Sequence, residues 1–289
     1  MRATVNGIDT FYEIHGAGEP LLFIHGGYGG AASSVEPTRQ PEIVSILAAS
    51  AVQVITYDRR NAGQSAYVLE PYTQGDIVED ARALLDHLGV ERAIVCGTSA
   101  GGPLALQLAI THPGRVSALV LGCTAPFLMR PRPRTELFRK LLDDNAAKGD
   151  RAFFESRKDA LHNPSPGKNL QHPSREEQEK KRDEAVRAAL RDVSDEDLFR
   201  YSTGELRNLA AAFGSDCTPR IGEIEVSAIM VHGTNDSHVP FAWGQELHQA
   251  LRHSEFHAIE GADHGVMSWP EAGSLVRGWV ERRVAAITA

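Results

Sequence analysis

The sequence predicts an α/β protein in which a mostly parallel sheet is covered by helices on both faces. Continuous apolar, β-branched runs alternate with helix-like stretches up to about residue 124, and the same alternation resumes near residue 222. Between these regions the sequence is charge-rich and helix-like, without strand alternation. We therefore predict a core domain of residues 1–124 and 222–289, interrupted by a helical insertion, or cap, of residues 125–221.

The first half of the core begins with a predicted hairpin, because residues 3–5 and 10–14 alternate in polarity around Asn6-Gly7, a pair typical of tight turns. Continuous apolar runs then predict buried strands, and amphipathic spacing predicts the helices between them. The predicted strands are 21–24, 52–57, 92–96 and 116–121. The predicted helices are 42–51, 76–88 and one that starts near residue 104 and ends near His112.

The insertion opens with prolines that break the preceding pattern, and its helices are indicated by capping signals. Ser174 followed by Glu177 predicts a capping box, Ser194 predicts the start of a further helix, and residues 163–168 predict a loose connection. After the insertion the alternation of strands and helices returns. The predicted elements there are strands 226–231 and 255–259 and helices 241–252 and 271–284.

The composition is ordinary for a globular protein: 289 residues, 42% hydrophobic and 24% charged. A net charge of −8 argues against nucleic acid as a partner. The three cysteines are an odd number, which argues against a disulfide framework. No apolar signal segment and no run of about 18 apolar residues is present. These features predict a cytoplasmic protein with no membrane partner.

The stretch Gly97-Thr-Ser99-Ala-Gly101 lies between a predicted strand and a predicted helix. A Gly-x-Ser-x-Gly turn at such a junction forces the serine into a strained conformation and lifts its hydroxyl clear of the sheet. The helix that follows places backbone N–H groups beside it. Ser99 is therefore the candidate nucleophile.

A serine hydroxyl needs a base to take its proton, and the base needs a group that orients it. Asp236 follows the strand predicted at 226–231, and His264 follows the strand predicted at 255–259. In a parallel sheet the carboxyl ends of the strands meet at one edge, where functional residues lie. The chain order Ser99, Asp236, His264 is the order expected for a catalytic triad in this architecture.

With these residues in view, the chain resembles the α/β-hydrolase family, in its branch of serine esterases and lactonases with a helical cap. Four motifs carry the resemblance, which covers nearly the whole chain outside the cap. They are His25-Gly-Gly-Tyr-Gly, Asp58-Arg-Arg-Asn-Ala-Gly-Gln-Ser, Gly97-Thr-Ser-Ala-Gly and the pair Asp236 and His264.

The resemblance implies a role for each residue of the site. Ser99 would be the nucleophile, His264 the general base and then the acid, and Asp236 the carboxylate that orients it. The backbone N–H groups of Gly27 and Ala100 would form the oxyanion hole. A serine nucleophile disfavours dehalogenase and epoxide hydrolase chemistry, in which the corresponding residue is a carboxylate.

The chain departs from the family pattern at two places. Asn61 stands where glycine is usual, and asparagine tolerates a positive φ better than most residues. Ala100 stands where many relatives carry Met or Trp, which leaves more room beside the nucleophile.

Other residues compete for these roles. Asp263 adjoins His264, but adjacent side chains rarely face each other, and it is interpreted as a loop carboxylate. His25 is interpreted as shaping its own glycine-rich loop, and Cys96 as a packing residue in a buried strand. Tyr28, His238 and Trp269 are candidates for substrate contact, with a packing or loop role as the alternative.

No metal and no cofactor are predicted. The histidines lack metal-ligand spacing on a helix. Residues 27–32 match a dinucleotide-binding pattern, but prolines interrupt the helix that such a site requires, and no acidic residue stands at the expected distance.

The predicted function is hydrolysis of a carboxylic ester or lactone of a small-molecule substrate, through an acyl-enzyme. The same triad leaves two enzymatic alternatives: cleavage of a carbon–carbon bond in a β-diketone, or removal of an N-terminal residue from a peptide. An aminopeptidase would need a cap carboxylate for the substrate's ammonium group, for which Glu205 and Asp197 are candidates. A ligand-binding protein without turnover is a further alternative, and the sequence leaves monomer and homodimer equally open.

Overall fold

The computed structural model describes residues 1–35, 41–48, 51–127, 129–164 and 176–288. Within them eight strands form one sheet in the order β1-β2-β4-β3-β5-β6-β7-β8. The strands are β1 (Arg2–Val5), β2 (Ile8–Gly16), β3 (Glu19–Ile24), β4 (Val52–Tyr57), β5 (Ala93–Thr98), β6 (Val116–Gly122), β7 (Ala228–Gly233) and β8 (Ser254–Ile259). β2 pairs antiparallel with β1 and β4, and every other pairing is parallel.

Helices cover both faces of this sheet. The helices outside the insertion are α1 (Ala31–Val35), α2 (Pro41–Ala48), α3 (Gln74–His87), α4 (Gly101–Thr111), α10 (Phe241–Ala250) and α11 (Pro270–Thr288). α3, α4 and α10 pack on one face, and α2 and α11 pack on the other. Successive residues of β3 divide between the two cores, with Leu22 facing the first and Leu21 the second. The predicted sheet with helices on both faces is confirmed.

The hairpin and the strand predictions are confirmed with small shifts at the ends. Asn6 and Gly7 both adopt positive φ, of 48° and 75°, as a two-residue hairpin turn of this type requires. α3 begins two residues before its predicted start, because Thr73 and Asp76 form a reciprocal capping box. α11 extends beyond the predicted range at both ends.

The insertion between β6 and β7 is helical in the part of the chain that the structure describes. Its helices are α5 (Pro133–Lys148), α6 (Asp150–Glu155), α7 (Lys158–His162), α8 (Glu176–Arg191) and α9 (Asp195–Phe213). Ser194 caps α9 as predicted, its hydroxyl accepting the N–H of Asp197. The capping box predicted from Ser174 and most of the loop predicted at 163–168 lie outside the described residues.

The two ends of the insertion meet at a short neck. Phe127 pairs with Asp216 in an isolated β-bridge, and the N–H of Cys217 donates to the carbonyl of Pro126 at 2.9 Å. The domain limits at residues 125 and 221 stay a prediction.

Across the ranges given above, the helices lack the combination of length and apolar character needed to cross a membrane.

Candidate active site

Ser99 occupies a sharp turn between the end of β5 and the start of α4. Its φ is +50°, in the left-handed region that residues with a Cβ rarely adopt. A Cβ on Gly97 would lie 2.6 Å from the carbonyl oxygen of Gly101, and one on Gly101 would lie 2.1 Å from that of Ile24. The turn therefore needs glycine at both positions, and it holds the serine in the strained conformation that the sequence pattern predicts.

The structure brings Ser99, His264 and Asp236 together in one hydrogen-bonded relay. His264 Nε2 lies 2.9 Å from Ser99 Oγ, and His264 Nδ1 lies 2.9 Å from Asp236 Oδ2 and 3.1 Å from Oδ1. The three residues follow β5, β8 and β7, whose carboxyl ends share one edge of the sheet. A nucleophile, a base and a carboxylate that orients the base therefore stand in the arrangement used for nucleophilic attack.

Asp236 is buried, with 6% of its surface exposed, yet its environment keeps it ionised. Burial alone would raise the pKa of this carboxyl group. Hydrogen bonds with His232 and His264 and the N–H of Val239 outweigh that effect and hold the pKa well below its ordinary value. The N–H of His238 also donates to Asp236 Oδ1, at 2.8 Å. Asp236 is thus fixed as an anion beside His264.

The glycine-rich loop after β3 lies against Ser99. A Cβ on Gly26 would come within 2.9 Å of the Ser99 Cβ, and Gly27 has a φ of +74°. His25 shapes this loop as predicted, with its Nδ1 2.7 Å from the Gly26 carbonyl and its Nε2 accepting the N–H of Arg59 at 3.2 Å. Ala100, the other predicted oxyanion donor, is the N-cap of α4. The predicted pair Gly27 and Ala100 therefore lies on loops that adjoin the serine.

Asn61 adopts the positive φ expected at its position, +60°. Its carbonyl accepts the N–H of Gly30 at 3.1 Å, and its side chain bonds both the Val68 backbone and the hydroxyl of Tyr72. The Asn61 side chain thus adds contacts that a glycine at this position could not make.

The three predicted substrate contacts are placed differently. The His238 ring stacks on the His264 ring, with centroids 4.8 Å apart and planes at 18°. Burial, His264 and Arg134 lower the pKa of His238 to about 4, so that the stacked ring is neutral at pH 7. Tyr28 packs edge-on against Phe138 of α5 and belongs to the cluster that contains Ala100. Trp269 packs instead against the core between the sheet and helices α2 and α11.

Apolar residues of the insertion cover the site from above the sheet edge. One cluster joins Ala100, Phe127 and Val239 with Phe153 of α6 and with Leu206 and Leu209 of α9. The last three residues also line a cavity of about 70 Å³ enclosed by α5, α6, α7 and α9. The cavity therefore shares three side chains with the apolar cluster that contains Ala100, the residue next to Ser99.

Glu205 is an acidic residue of this cavity wall. No hydrogen bond to its carboxylate is found within the described residues, whereas the neighbouring Asp150 pairs with Arg207 at 2.6 Å. Burial raises the pKa of Glu205 to about 7, and the charge of Arg157 opposes that shift. Asp197 instead lies in the first turn of α9, beside its cap residue Ser194. Of the two predicted cap carboxylates, Glu205 lines the cavity and Asp197 does not.

Two site neighbours were not singled out by the sequence. Cys123, directly after β6, has a φ of +41°, and its Sγ lies within 4.8 Å of ligand atoms of Asp236 and His264. Arg59, after β4, donates to the carbonyls of the glycine-rich loop. The signal available for both was their position directly after a buried strand.

Cys96 is fully buried as predicted, and Asp263 accepts the N–H of Gly265 within its own loop.

Comparison with known proteins adds to this geometry. The model of a family described as alpha/beta hydrolase fold matches residues 19–270. The chain is 30% identical over 263 residues to RutD of Variovorax paradoxus (strain S110), for which carbamate hydrolysis is proposed, and the match covers 88% of each chain. RutD of Caulobacter vibrioides (strain NA1000 / CB15N) is 27% identical over 273 residues, covering 91% of this chain and 92% of that one.

Among solved structures, the fold is similar to that of the enol-lactonase from Burkholderia xenovorans LB400. The TM-score is 0.72 at 22% sequence identity, and the match covers 99% of this chain and 100% of the other.

Proposed function

Because this chain belongs to the alpha/beta hydrolase fold family, we propose that it hydrolyses a carboxylic ester or lactone through an acyl-enzyme on Ser99. The family and the full-length relatives support hydrolase activity in general. The observation that carries the finer proposal is the relay from Ser99 through His264 to Asp236, with contacts of 2.9 Å at both steps.

In the first step Ser99 attacks the substrate carbonyl while His264 Nε2 takes its proton. The bond from Nδ1 to Asp236 selects the tautomer that leaves Nε2 free to accept, and the carboxylate stabilises the imidazolium that forms. The oxyanion of the tetrahedral intermediate is placed at the N–H groups of Gly27 and Ala100. Donors of this kind each lower the barrier by about 3–4 kcal/mol.

In the second step His264 gives its proton to the leaving alcohol, and a water molecule then attacks the acyl-enzyme by the same route. We place the acyl group under the insertion, beside the apolar cluster of Ala100, Phe153 and Leu206. The insertion would then exclude bulk water from the oxyanion and select the acyl chain.

Hydrolysis of p-nitrophenyl acetate, butyrate and octanoate tests the proposal. Wild-type turnover should fall by several orders of magnitude in Ser99→Ala. In Asp236→Asn it should fall by about 10⁴-fold, because an amide cannot hold the reactive tautomer of the histidine. Asp263→Asn, in the neighbouring loop, is the matched control and should stay within a few-fold of wild type. Activity that survives Ser99→Ala in a folded protein would refute the nucleophile.

A carbamate belongs on the same substrate panel, because the full-length relatives are proteins for which carbamate hydrolysis is proposed. The chemistry differs only in the leaving and acyl groups, since Ser99 would again attack a carbonyl carbon. A phenyl carbamate that is turned over faster than the matched acetate would move the proposed substrate from ester to carbamate.

Removal of an N-terminal residue is the second candidate, and the placement of Glu205 favours it. A carboxyl group that lines a cavity of the insertion and has no hydrogen bond within the described residues can bind an ammonium group. Hydrolysis of proline p-nitroanilide tests this candidate. If it is correct, Glu205→Gln raises KM for the anilide but leaves p-nitrophenyl acetate turnover unchanged.

A further inference from the structure

Arg59 is a buried guanidinium without a carboxylate partner in the described part of the chain. Only 3% of its surface is exposed, and its Nε finds no hydrogen-bond partner there. The adjacent Arg60 is also buried, with 6% of its surface exposed, but it forms a two-pronged ion pair with Asp80, with both contacts at 2.6 Å. Burying an isolated charge lowers the free energy of unfolding. We therefore expect a compensating interaction for the guanidinium of Arg59.

The partners of Arg59 all lie in the loop that adjoins Ser99. Its Nη2 donates to the carbonyl of Gly27 at 2.5 Å and to that of Gly26 at 3.3 Å. Its backbone N–H donates to His25, whose other ring nitrogen lies 2.7 Å from the same Gly26 carbonyl. Two consecutive peptide groups are thus held by their oxygens from the Arg59 side.

A trans peptide points its N–H opposite to its carbonyl. The peptide whose oxygen belongs to Gly26 carries the N–H of Gly27, and the next peptide carries the N–H of Tyr28. Holding both oxygens on the Arg59 side therefore turns both N–H groups away from Arg59. Gly27 can accept this arrangement because its φ is +74°.

The strand order determines what lies on the opposite side. β3, which leads into the glycine-rich loop, lies between β4 and β5 in the sheet. Arg59 follows β4 and Ser99 follows β5, so the two residues flank the loop from opposite sides. N–H groups that point away from Arg59 point towards the Ser99 side, where the oxyanion of the proposed reaction would form.

We propose that Arg59 is a positioning residue, which turns the N–H groups of Gly27 and Tyr28 towards the oxyanion and strengthens their dipoles with its fixed positive charge. This inference rests on the proposed function of Ser99. It adds the Tyr28 amide to the oxyanion hole and explains why a guanidinium is kept in a buried position. The positive charge of Arg59 polarises two peptide groups, and their N–H groups face the point where negative charge develops on the substrate oxygen.

Diethyl p-nitrophenyl phosphate tests this role without knowledge of the natural substrate. Ser99 Oγ forms a bond to phosphorus, His264 takes the serine proton, and p-nitrophenolate leaves, while the phosphoryl oxygen occupies the oxyanion position. The release of p-nitrophenolate gives the rate. Arg59→Met should slow it on the order of 10²-fold, as loss of an oxyanion donor does in other enzymes. Arg59→Lys keeps the positive charge but moves the donor nitrogen from the Nη2 position, and its rate of p-nitrophenolate release should lie between those of wild type and Arg59→Met.

Two controls separate positioning from a structural role. Arg60→Met removes the neighbouring buried guanidinium, and should lower the unfolding temperature while leaving the phosphorylation rate within a few-fold of wild type. In a Ser99→Cys background, alkylation of the introduced thiol by iodoacetamide needs no oxyanion hole. The alkylation rate should therefore be the same with and without Arg59→Met, whereas a general disruption of the site would slow it.

The outcomes are distinct. A wild type that the phosphate does not label overturns the proposed function and, with it, the role of Arg59. A labelled wild type together with an Arg59→Met variant that reacts at the same rate overturns the inference alone. If Arg59→Met does not fold, Arg59→Lys decides, and an unchanged phosphorylation rate in that variant overturns the positioning role of the Nη2 contacts with the Gly26 and Gly27 carbonyls.

Discussion

Four residues other than glycine have positive φ in the described ranges: Asn6, Asn61, Ser99 and Cys123. The two asparagines occupy turns that asparagine tolerates. Ser99 and Cys123 are different, because they follow the neighbouring strands β5 and β6 and adjoin the same Asp236–His264 pair. Strained backbone thus concentrates at the sheet edge that carries the candidate site, where surrounding contacts hold it in place.

Glu205 should make stability depend on pH. The folded protein holds this proton more tightly, with a pKa of about 7 against an ordinary value of 4.5. Below pH 4.5 Glu205 is protonated in both states and does not affect the free energy of unfolding. Between pH 4.5 and about 7 it lowers the free energy of unfolding increasingly, because only the unfolded chain loses the proton. Above about pH 7 this destabilisation is constant. Glu205→Gln mimics the neutral acid, so its unfolding temperature relative to wild type should rise between pH 4.5 and 7 and then level off.

Thermal unfolding followed by circular dichroism across pH 4–9 measures this difference. Glu136→Gln, at an exposed position on α5, is the control for the change of charge and should show no such rise. A difference between Glu205→Gln and wild type that is flat across this range would show that Glu205 is solvated in the folded protein.

At the residue scale, the sequence was sufficient to predict that Ser99, Asp236 and His264 lie together, because each lies in the loop that follows a recognisable strand. It did not single out Arg59, and it named Glu205 only as one of two candidate cap carboxylates. Their significance depends on partners from distant segments: Arg59 on the glycine-rich loop, and Glu205 on α5, α6 and α7. Spacing along one chain does not show which buried charge is paired and which is not.

At the scale of elements, the turn between β5 and α4 fixes the distance between the sheet and the helix. Gly101→Ala would push a methyl group against the Ile24 carbonyl, 2.1 Å from the ideal Cβ position. Because backbone must move to relieve this contact, we expect a loss of about 3 kcal/mol in the free energy of unfolding. The proposed esterase activity should fall with it, since Ser99 would move with the turn.

Urea denaturation of Gly101→Ala beside Gly114→Ala measures the effect. Gly114 follows the same helix, has no atom within 4 Å of its ideal Cβ position and needs no positive φ. Its replacement should change the free energy of unfolding by no more than about 0.5 kcal/mol. Equal stability of the two variants would show that the turn relaxes without cost.

Element types were predictable because buried strands and amphipathic helices have distinct periods, but element ends depend on local contacts. α3 starts at Gln74 because Thr73 and Asp76 cap each other, a contact that hydrophobic spacing does not contain. The position of the Trp269 side chain likewise could not be predicted from the sequence. This residue was a candidate for substrate contact with packing as the alternative, and the structure packs it, after the short helical turn Val266–Ser268, against the core between the sheet and α11.

At the scale of the whole molecule, the insertion and the core share contacts that tie them into one unit. Asn208 of α9 donates to the Tyr28 carbonyl at 2.9 Å and accepts from the Tyr72 hydroxyl at 2.9 Å. Gly204 packs closely on Asn61 and Tyr67. The cluster that contains Ala100 draws residues from both parts. Pairings of this kind join segments more than a hundred positions apart, so the sequence alone could not supply them.

These contacts predict that insertion and core unfold together. Differential scanning calorimetry should show a single transition whose calorimetric and van't Hoff enthalpies agree. Leu206→Ala, in the shared cluster, should shift that whole transition down, by an amount equivalent to about 3 kcal/mol. A separate low-temperature transition in wild type or variant would show that the insertion is an independent unit.

The neck at Phe127 and Asp216 has a further consequence, for how such an enzyme can change over evolution. Because the two ends of the insertion lie side by side, the core chain follows the same path whatever the length of the segment between them. The entropic cost of closing a longer inserted segment grows slowly with its length. The insertion can therefore be exchanged as a unit without a change in the path of the core chain. One recombination event at the neck would give a descendant a different insertion, while Ser99, His264 and the glycine-rich loop are inherited unaltered.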